Sequence, residues 1–263
     1  MIETINILGV KVNNASLTEA LNLIKTWLNH QSKPRYVVTP NVEFLMLAQK
    51  DKEFKEILNK ADLSIPDSAR FGWAVDIKNE KNLLLKILKW PLFLVPKIFL
   101  VRQFDAVTGT DLTEQLIKKS IDWAATIGFI GGKKNLAIKL KERLEKKYPS
   151  VKINFTADGG VIKTNGEMES SESLKDFPKT DILFIGFGQV KQEKWIAKFK
   201  EQLPVKVFVG VGGALDYLSG EVLRAPQLIR SLGFEWLFRL ILQPWRIKRF
   251  LNLIRFVFLV PFS

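Results

Sequence analysis

The 263 residues contain no cysteine and a single histidine, and 40 Lys and Arg against 27 Asp and Glu leave a formal charge of +13. A disulfide framework and a thiolate metal site are therefore excluded. Met1-Ile2-Glu3-Thr4 leads into a strand pattern rather than a signal peptide, so a cytosolic location is expected, and the length suffices for one large domain or a domain with an appendage.

Residues 2–12 read as one or two short strands around Gly9. Ser16 and Glu19 form a capping box ahead of Leu17, Ala20, Leu21, Ile24, Trp27 and Leu28, which recur at helical spacing. Tyr36–Val38 and Leu63–Ile65 are short β-favouring runs separated by the length of one amphipathic helix, carrying Phe44, Leu45, Phe54 and Leu58. In a parallel sheet this arrangement delivers Thr39-Pro40-Asn41 and Pro66-Asp67 to the carboxyl edge, where such folds bind ligands. Asp67 there is placed to take a proton from a bound hydroxyl, although Pro66-Asp67-Ser68 is equally a turn or cap signature. Thr39 and Asn41 can cap the helix starting near Val42 or contact a ligand.

After residue 106 strand, glycine and helix alternate. Val107–Leu112 opens a helix; Ile127–Ile130 ends in Gly131-Gly132; Val151–Phe155 precedes Asp158-Gly159-Gly160; Ile182–Phe187 ends at Gly188; Val205–Val211 ends in Gly212-Gly213. The pattern predicts an α/β fold, a Rossmann-like parallel sheet flanked by helices. Gly131 and Gly132 can present backbone N–H groups to a phosphate or form a plain tight turn. Gln189 and Gln192 follow Gly188 and can face a base, a sugar or water. No Asp-x-Asp is present to hold a divalent cation on a diphosphate. No metal is therefore assigned, and a departing diphosphate would be met by helix N-termini, backbone amides and arginines such as Arg224.

Most of the excess charge lies in two segments. Lys81–Phe104 has five cations and no acid, and Arg224–Ser263 has seven cations against Glu235 alone. Both are strongly apolar, unlike a nucleic-acid patch, so no nucleic-acid partner is expected. Three lysines and two prolines interrupt the first, which argues against spanning a bilayer. Such segments fit helices lying on an anionic membrane surface; a buried helix or a subunit contact is the alternative, which leaves a homo-oligomer open. The expected division is a core over 1–223, with an apolar basic insertion at about 78–104, and a helical appendage over 224–263.

Several blocks together resemble the WecG/TagA/CpsF family of bacterial glycosyltransferases: Thr39-Pro40-Asn41, Ala61-Asp62-Leu63 with Pro66-Asp67, Gly109-Thr110-Asp111-Leu112, Phe129–Gly132, Lys191–Ile196, Gly210–Ala214, Arg224-Ala225-Pro226 and Gly233–Leu240. The resemblance spans nearly the whole chain in order. It implies an inverting, metal-independent hexosyltransferase without cofactor. Such an enzyme moves N-acetylmannosamine or a related sugar from a UDP donor to an undecaprenyl-diphosphate-linked sugar in cell-surface polysaccharide or teichoic acid synthesis. The setting it implies is peripheral, at the cytoplasmic face of the membrane. By match, Asp67 is the general base, Thr39, Asn41 and Gln192 line the pocket, and Arg224, Arg239 and Arg246 serve the diphosphates and membrane docking. Three departures stand out: Ser68 where the family has Gly, Ala106 where an Arg is common, with Arg102 or Arg70 as substitutes, and a longer, more hydrophobic segment from Lys78 to Gln103. The rival readings are a Rossmann-type nucleotide-sugar oxidoreductase, which would want a G-x-G-x-x-G that is not visible, and a non-catalytic membrane-surface binding protein.

Overall fold

The computed structural model describes residues 2–30, 33–68, 70–94, 106–132, 135–169, 174–232, 234–244 and 247–263. Arg246, Arg102 and the second part of the insertion lie outside these residues.

The chain opens with an antiparallel hairpin, β1 (Glu3–Ile7) and β2 (Val10–Asn14), turned at Leu8-Gly9. Ser16 caps α1 (Leu17–Asn29) through the expected reciprocal bonds with Glu19. The six-stranded sheet then assembles from β3 (Arg35–Val38), β4 (Leu63–Ser64), β5 (Thr126–Gly131), β6 (Lys152–Ala157), β7 (Thr180–Gly186) and β8 (Val205–Gly210). All its pairings are parallel, in the order β4-β3-β8-β7-β5-β6. The expected Rossmann-like fold is present. Side chains alternate between its faces: Phe129, Phe184, Val207 and Val209 meet one helical layer, and Ile130, Ile185 and Phe208 meet the other.

The first layer is α1, α6 (Gly109–Asp122), α7 (Leu136–Lys147) and α9 (Ala214–Ser219). The second contains α2 (Val42–Ala48), α3 (Lys52–Asn59), α4 (Arg70–Asn79) and α8 (Lys191–Phe199). Where one helix is expected between Val42 and Leu58 there are two. Asp51 accepts the Phe54 N–H and restarts the helix, and the bend brings Phe44 and Phe54 to 5.7 Å between ring centroids.

The insertion begins as α5 (Leu83–Lys89) and a 3₁₀ turn, Trp90–Leu94. The C-terminal part contains α10 (Gln227–Ser231), α11 (Glu235–Leu242), α12 (Ile247–Leu259) and a final 3₁₀ turn, Val260–Phe262. Phe256 and Val260 are fully buried in the second layer, with Phe256 packed against Trp73 of α4 and Phe93.

Candidate active site

Three loops meet around Asp67. Its backbone N–H donates to the Pro40 carbonyl at 2.9 Å, and the Val107 N–H donates to the Pro66 carbonyl at 3.1 Å, so the ends of β3 and β4 are tied to the start of α6. Thr108 caps α6 by accepting the Asp111 N–H. The next N–H, that of Gly109, points at the Asp67 carboxylate. Gly109 is required by closeness: a Cβ there would stand 2.7 Å from Thr39 Oγ1. Thr39 and Asp67 therefore flank one helix N-terminus. Ser68 lies outside the left-handed region and its hydroxyl accepts the Arg70 N–H, so the turn after Asp67 does not need a glycine.

Removal of water pushes the Asp67 carboxyl up to about 7. The Arg239 guanidinium opposes that rise, as does the Gly109 N–H, whereas Glu235 and Asp111 add to it. Arg239 pairs with Glu235 one turn back on α11 and lies over the Tyr217 ring at 4.7 Å. Burial works against its charge, yet Glu235, Tyr217 and Asp67 hold it above its ordinary value. Arg224 reaches the same helix end, donating to Thr108 Oγ1 at 3.1 Å and pairing with Asp111 at 2.7 Å. The Nε groups of Arg224, at the N-terminus of α6, and of Arg239, beside the Asp67 carboxylate, are buried without a hydrogen-bond partner.

A second cluster lies farther along the sheet edge. The connections from β5 and β7, which are neighbours, leave in opposite directions, so a crevice opens at their carboxyl ends. Gly131 and Gly132 line it, both with positive φ, and the Gly132 N–H donates to the Gly186 carbonyl at 3.0 Å. Gly131 has φ +107°, and a Cβ there would stand 2.7 Å from the Gly186 carbonyl carbon. Gly131→Ala is therefore expected to destabilise the protein by about 2 kcal/mol, read as a lower midpoint in thermal unfolding.

Gln189 lies partly exposed in the loop after β7, next to Val190, whose φ of +71° is strained for a β-branched residue. Glu193 holds that turn: its Oε2 accepts the Val190 N–H at 2.6 Å and its Oε1 accepts from Gln192 Nε2 at 2.6 Å. Burial pushes the Glu193 carboxyl up to about 8, with the bonds from Gln192, its own backbone N–H and the Val190 N–H pulling it back. Gln192 is itself buried, and its Oε1 accepts the Gly212 N–H at 2.9 Å. It thus braces the loops after β7 and β8 from behind. Asn41 caps α2 by accepting the Phe44 N–H at 3.2 Å, with its side chain partly exposed. Arg70 is buried, its guanidinium over the Phe93 ring at 5.3 Å, and burial lowers it to about 10. It therefore faces the insertion. Gly109, Tyr217 and Glu235 are the site neighbours that residue type alone did not single out; the Gly-Thr-Asp-Leu block and the acid one turn before Arg239 were the available signals.

Among the described residues no group of three or more His, Cys, Asp and Glu is placed to hold a metal ion. A partly buried carboxylate with two arginines at the carboxyl edge of a parallel sheet can supply a proton acceptor and cations for an anionic leaving group. The chain belongs to the glycosyl transferase WecG/TagA/CpsF family, whose model matches residues 5–87 and 90–262, and it is a glycosyltransferase. A Bacillus subtilis (strain 168) relative is 25% identical over 258 residues, 98% of this chain and 91% of that protein. A Staphylococcus aureus (strain MRSA252) relative is 27% identical over 248 residues, 93% of this chain and 87% of that protein. Both are named N-acetylglucosaminyldiphosphoundecaprenol N-acetyl-beta-D-mannosaminyltransferase.

Proposed function

We propose that the chain moves N-acetylmannosamine, or a closely related hexose, from a UDP donor to a sugar carried on undecaprenyl diphosphate. Asp67 takes the proton of the acceptor hydroxyl. The oxygen attacks the anomeric carbon from the face opposite the diphosphate, the carbon–oxygen bond to UDP breaks, and the configuration inverts. Arg239 and Arg224 receive the charge that develops on the leaving diphosphate, Arg224 exchanging Asp111 for it, and the side-chain-free turn at Gly131 and Gly132 lets the donor's phosphates approach the backbone. Thr39 and Asn41 form the wall beside the base, Gln189 lies at the donor crevice, and Gln192 keeps the loops in place. The observation that carries this reading is the partly buried Asp67 carboxyl fixed at the end of β4, with the N-terminus of α6 and Arg239 beside it.

The proposed acceptor puts the reaction at a membrane, with the sheet-bearing body over 1–223 and with 224–263 both docking on the cytoplasmic face and bringing Arg224 and Arg239 to the site. No helix among the described residues is long and apolar enough to cross a bilayer, in keeping with a peripheral contact. The test offers the purified protein a panel of UDP-sugars with a short-chain lipid-diphosphate acceptor, with and without EDTA. One UDP-N-acetylhexosamine is expected to be consumed, giving the inverted anomer and free UDP at a rate that EDTA leaves unchanged. Tight NAD binding with no transfer, or liposome binding with no affinity for UDP, would replace this reading with an oxidoreductase or a scaffold.

A further inference from the structure

Helix α5 is built inside out. At about 100° per residue, Leu83, Leu84, Leu85, Ile87 and Leu88 cover an arc of about 200°, and Lys86 and Lys89 fall in the remainder. A helix packed on a globular body in water turns its apolar arc inward. Here the lysines turn inward: Lys86 Nζ donates to the Pro261 carbonyl at 2.5 Å, and Lys89 pairs with Glu80 at 2.6 Å. The apolar arc is left outside, with Leu83, Leu84 and Leu88 each about two-thirds exposed or more (68%, 73% and 68%).

The helix is also fastened to the C-terminal helix. The Trp90 indole N–H donates to the Val257 carbonyl at 3.0 Å, and the Trp90 and Phe258 rings meet edge to face at 5.0 Å. The outer side of α12 repeats the pattern: Ile247, Leu251, Ile254 and Phe258 are exposed at helical spacing, while Phe256 and Val260 fill the core.

We infer that α5 and α12 form one membrane-docking plate, in which the insertion supplies a second apolar helix that enters the acyl boundary of an anionic leaflet together with the C-terminal helix. Three features select a lipid surface over a protein partner. A convex apolar arc of this width is wetted on all its sides by acyl chains, whereas a protein groove covers one side. Lys86 and Lys89 are turned inward, but Lys81 is exposed ahead of α5 and no acid occurs from Lys81 to Phe104, so the segment opposes no negative charge to anionic headgroups. The residue that joins α5 to α12 is a tryptophan, Trp90, a side chain favoured at the membrane–water boundary. The inference rests on the membrane setting proposed above but assigns it to a segment other than the appendage.

The test compares the full chain with a Leu84→Asp, Leu88→Asp variant. Binding is measured by flotation with vesicles of phosphatidylcholine alone or with phosphatidylglycerol added. Transfer is measured both to a short-chain acceptor in solution and to a long-chain acceptor in the vesicles. The variant should partition about 100-fold more weakly onto the anionic vesicles, lose transfer to the embedded acceptor, and keep transfer to the soluble one within about twofold. Trp90→Ala, which cuts the link to α12 without adding charge, should weaken partitioning by about tenfold. Unchanged flotation of the leucine variant would overturn the inference, as would equal binding to both vesicle types. So would a concentration-dependent dimer in sedimentation that the substitutions dissolve while flotation stays unchanged. Wild-type protein that floats yet fails to use the soluble acceptor would instead defeat the catalytic reading and leave the plate standing.

Discussion

Asp67→Asn is expected to lower kcat by about 10²–10⁴-fold while the fold stays intact, because asparagine keeps the shape and still accepts the Gly109 N–H but cannot take a proton. Two pH profiles check this assignment. In the wild type kcat/KM should rise with pH and reach half its plateau near 7, the value to which burial pushes the carboxyl; residual activity of the variant should lack that limb. Stability moves in the opposite sense. A carboxyl whose folded pKa is about 7 against 3.8 holds its proton more tightly when folded. That contribution is fully present below about 3.8 and is lost as pH rises toward 7. The variant should therefore lose this downward slope and unfold at a higher temperature than wild type at pH 8. An unshifted activity profile in Asp67→Asn would remove the base from the mechanism.

The second expected result separates two neighbours on one helix. Arg239 lowers the Asp67 pKa and Glu235 raises it. Arg239→Ala should therefore move the acidic limb of kcat/KM to higher pH, and Glu235→Gln should move it to lower pH. The arginine variant should also lose about 10²–10³-fold in kcat, the usual effect of removing one donor that meets developing negative charge. The glutamine variant keeps that donor, so its loss should be smaller. A bulk structural defect would lower both rates without moving the two limbs apart, which makes the opposite signs the informative readout.

Much of this architecture was legible in the sequence because it rests on local signals. The Ser16–Glu19 box, the strand–glycine–helix alternation and the helix opened within Val107–Leu112 each depend on a few adjacent residues, and all are present in the fold. The break at Asp51 was not legible, since an N-cap inside an apolar periodicity looks like a polar position on the outer face. The site was legible in part. Asp67 and Thr39 could be brought to one edge by topology alone, but which of Thr39 and Asn41 caps α2 depends on side-chain geometry, and it is Asn41 that does so. Gln192 reads as a pocket residue on a helix start, whereas the close approach of β8 turns it inward. Glu235 acquires its influence on Asp67 only when α11 folds across the sheet edge from more than 150 residues away. The two apolar basic segments were visible, but composition could not say which side of α5 faces out.

Phe256 and Val260 close a socket formed by α4 and the turn after α5. The C-terminal helix is consequently not a cassette. A graft of this helix from another family member would have to carry the matching Trp73 and Phe93 surfaces with it, and only the outward residues of α5 and α12 are left as positions that can be edited without disturbing that socket.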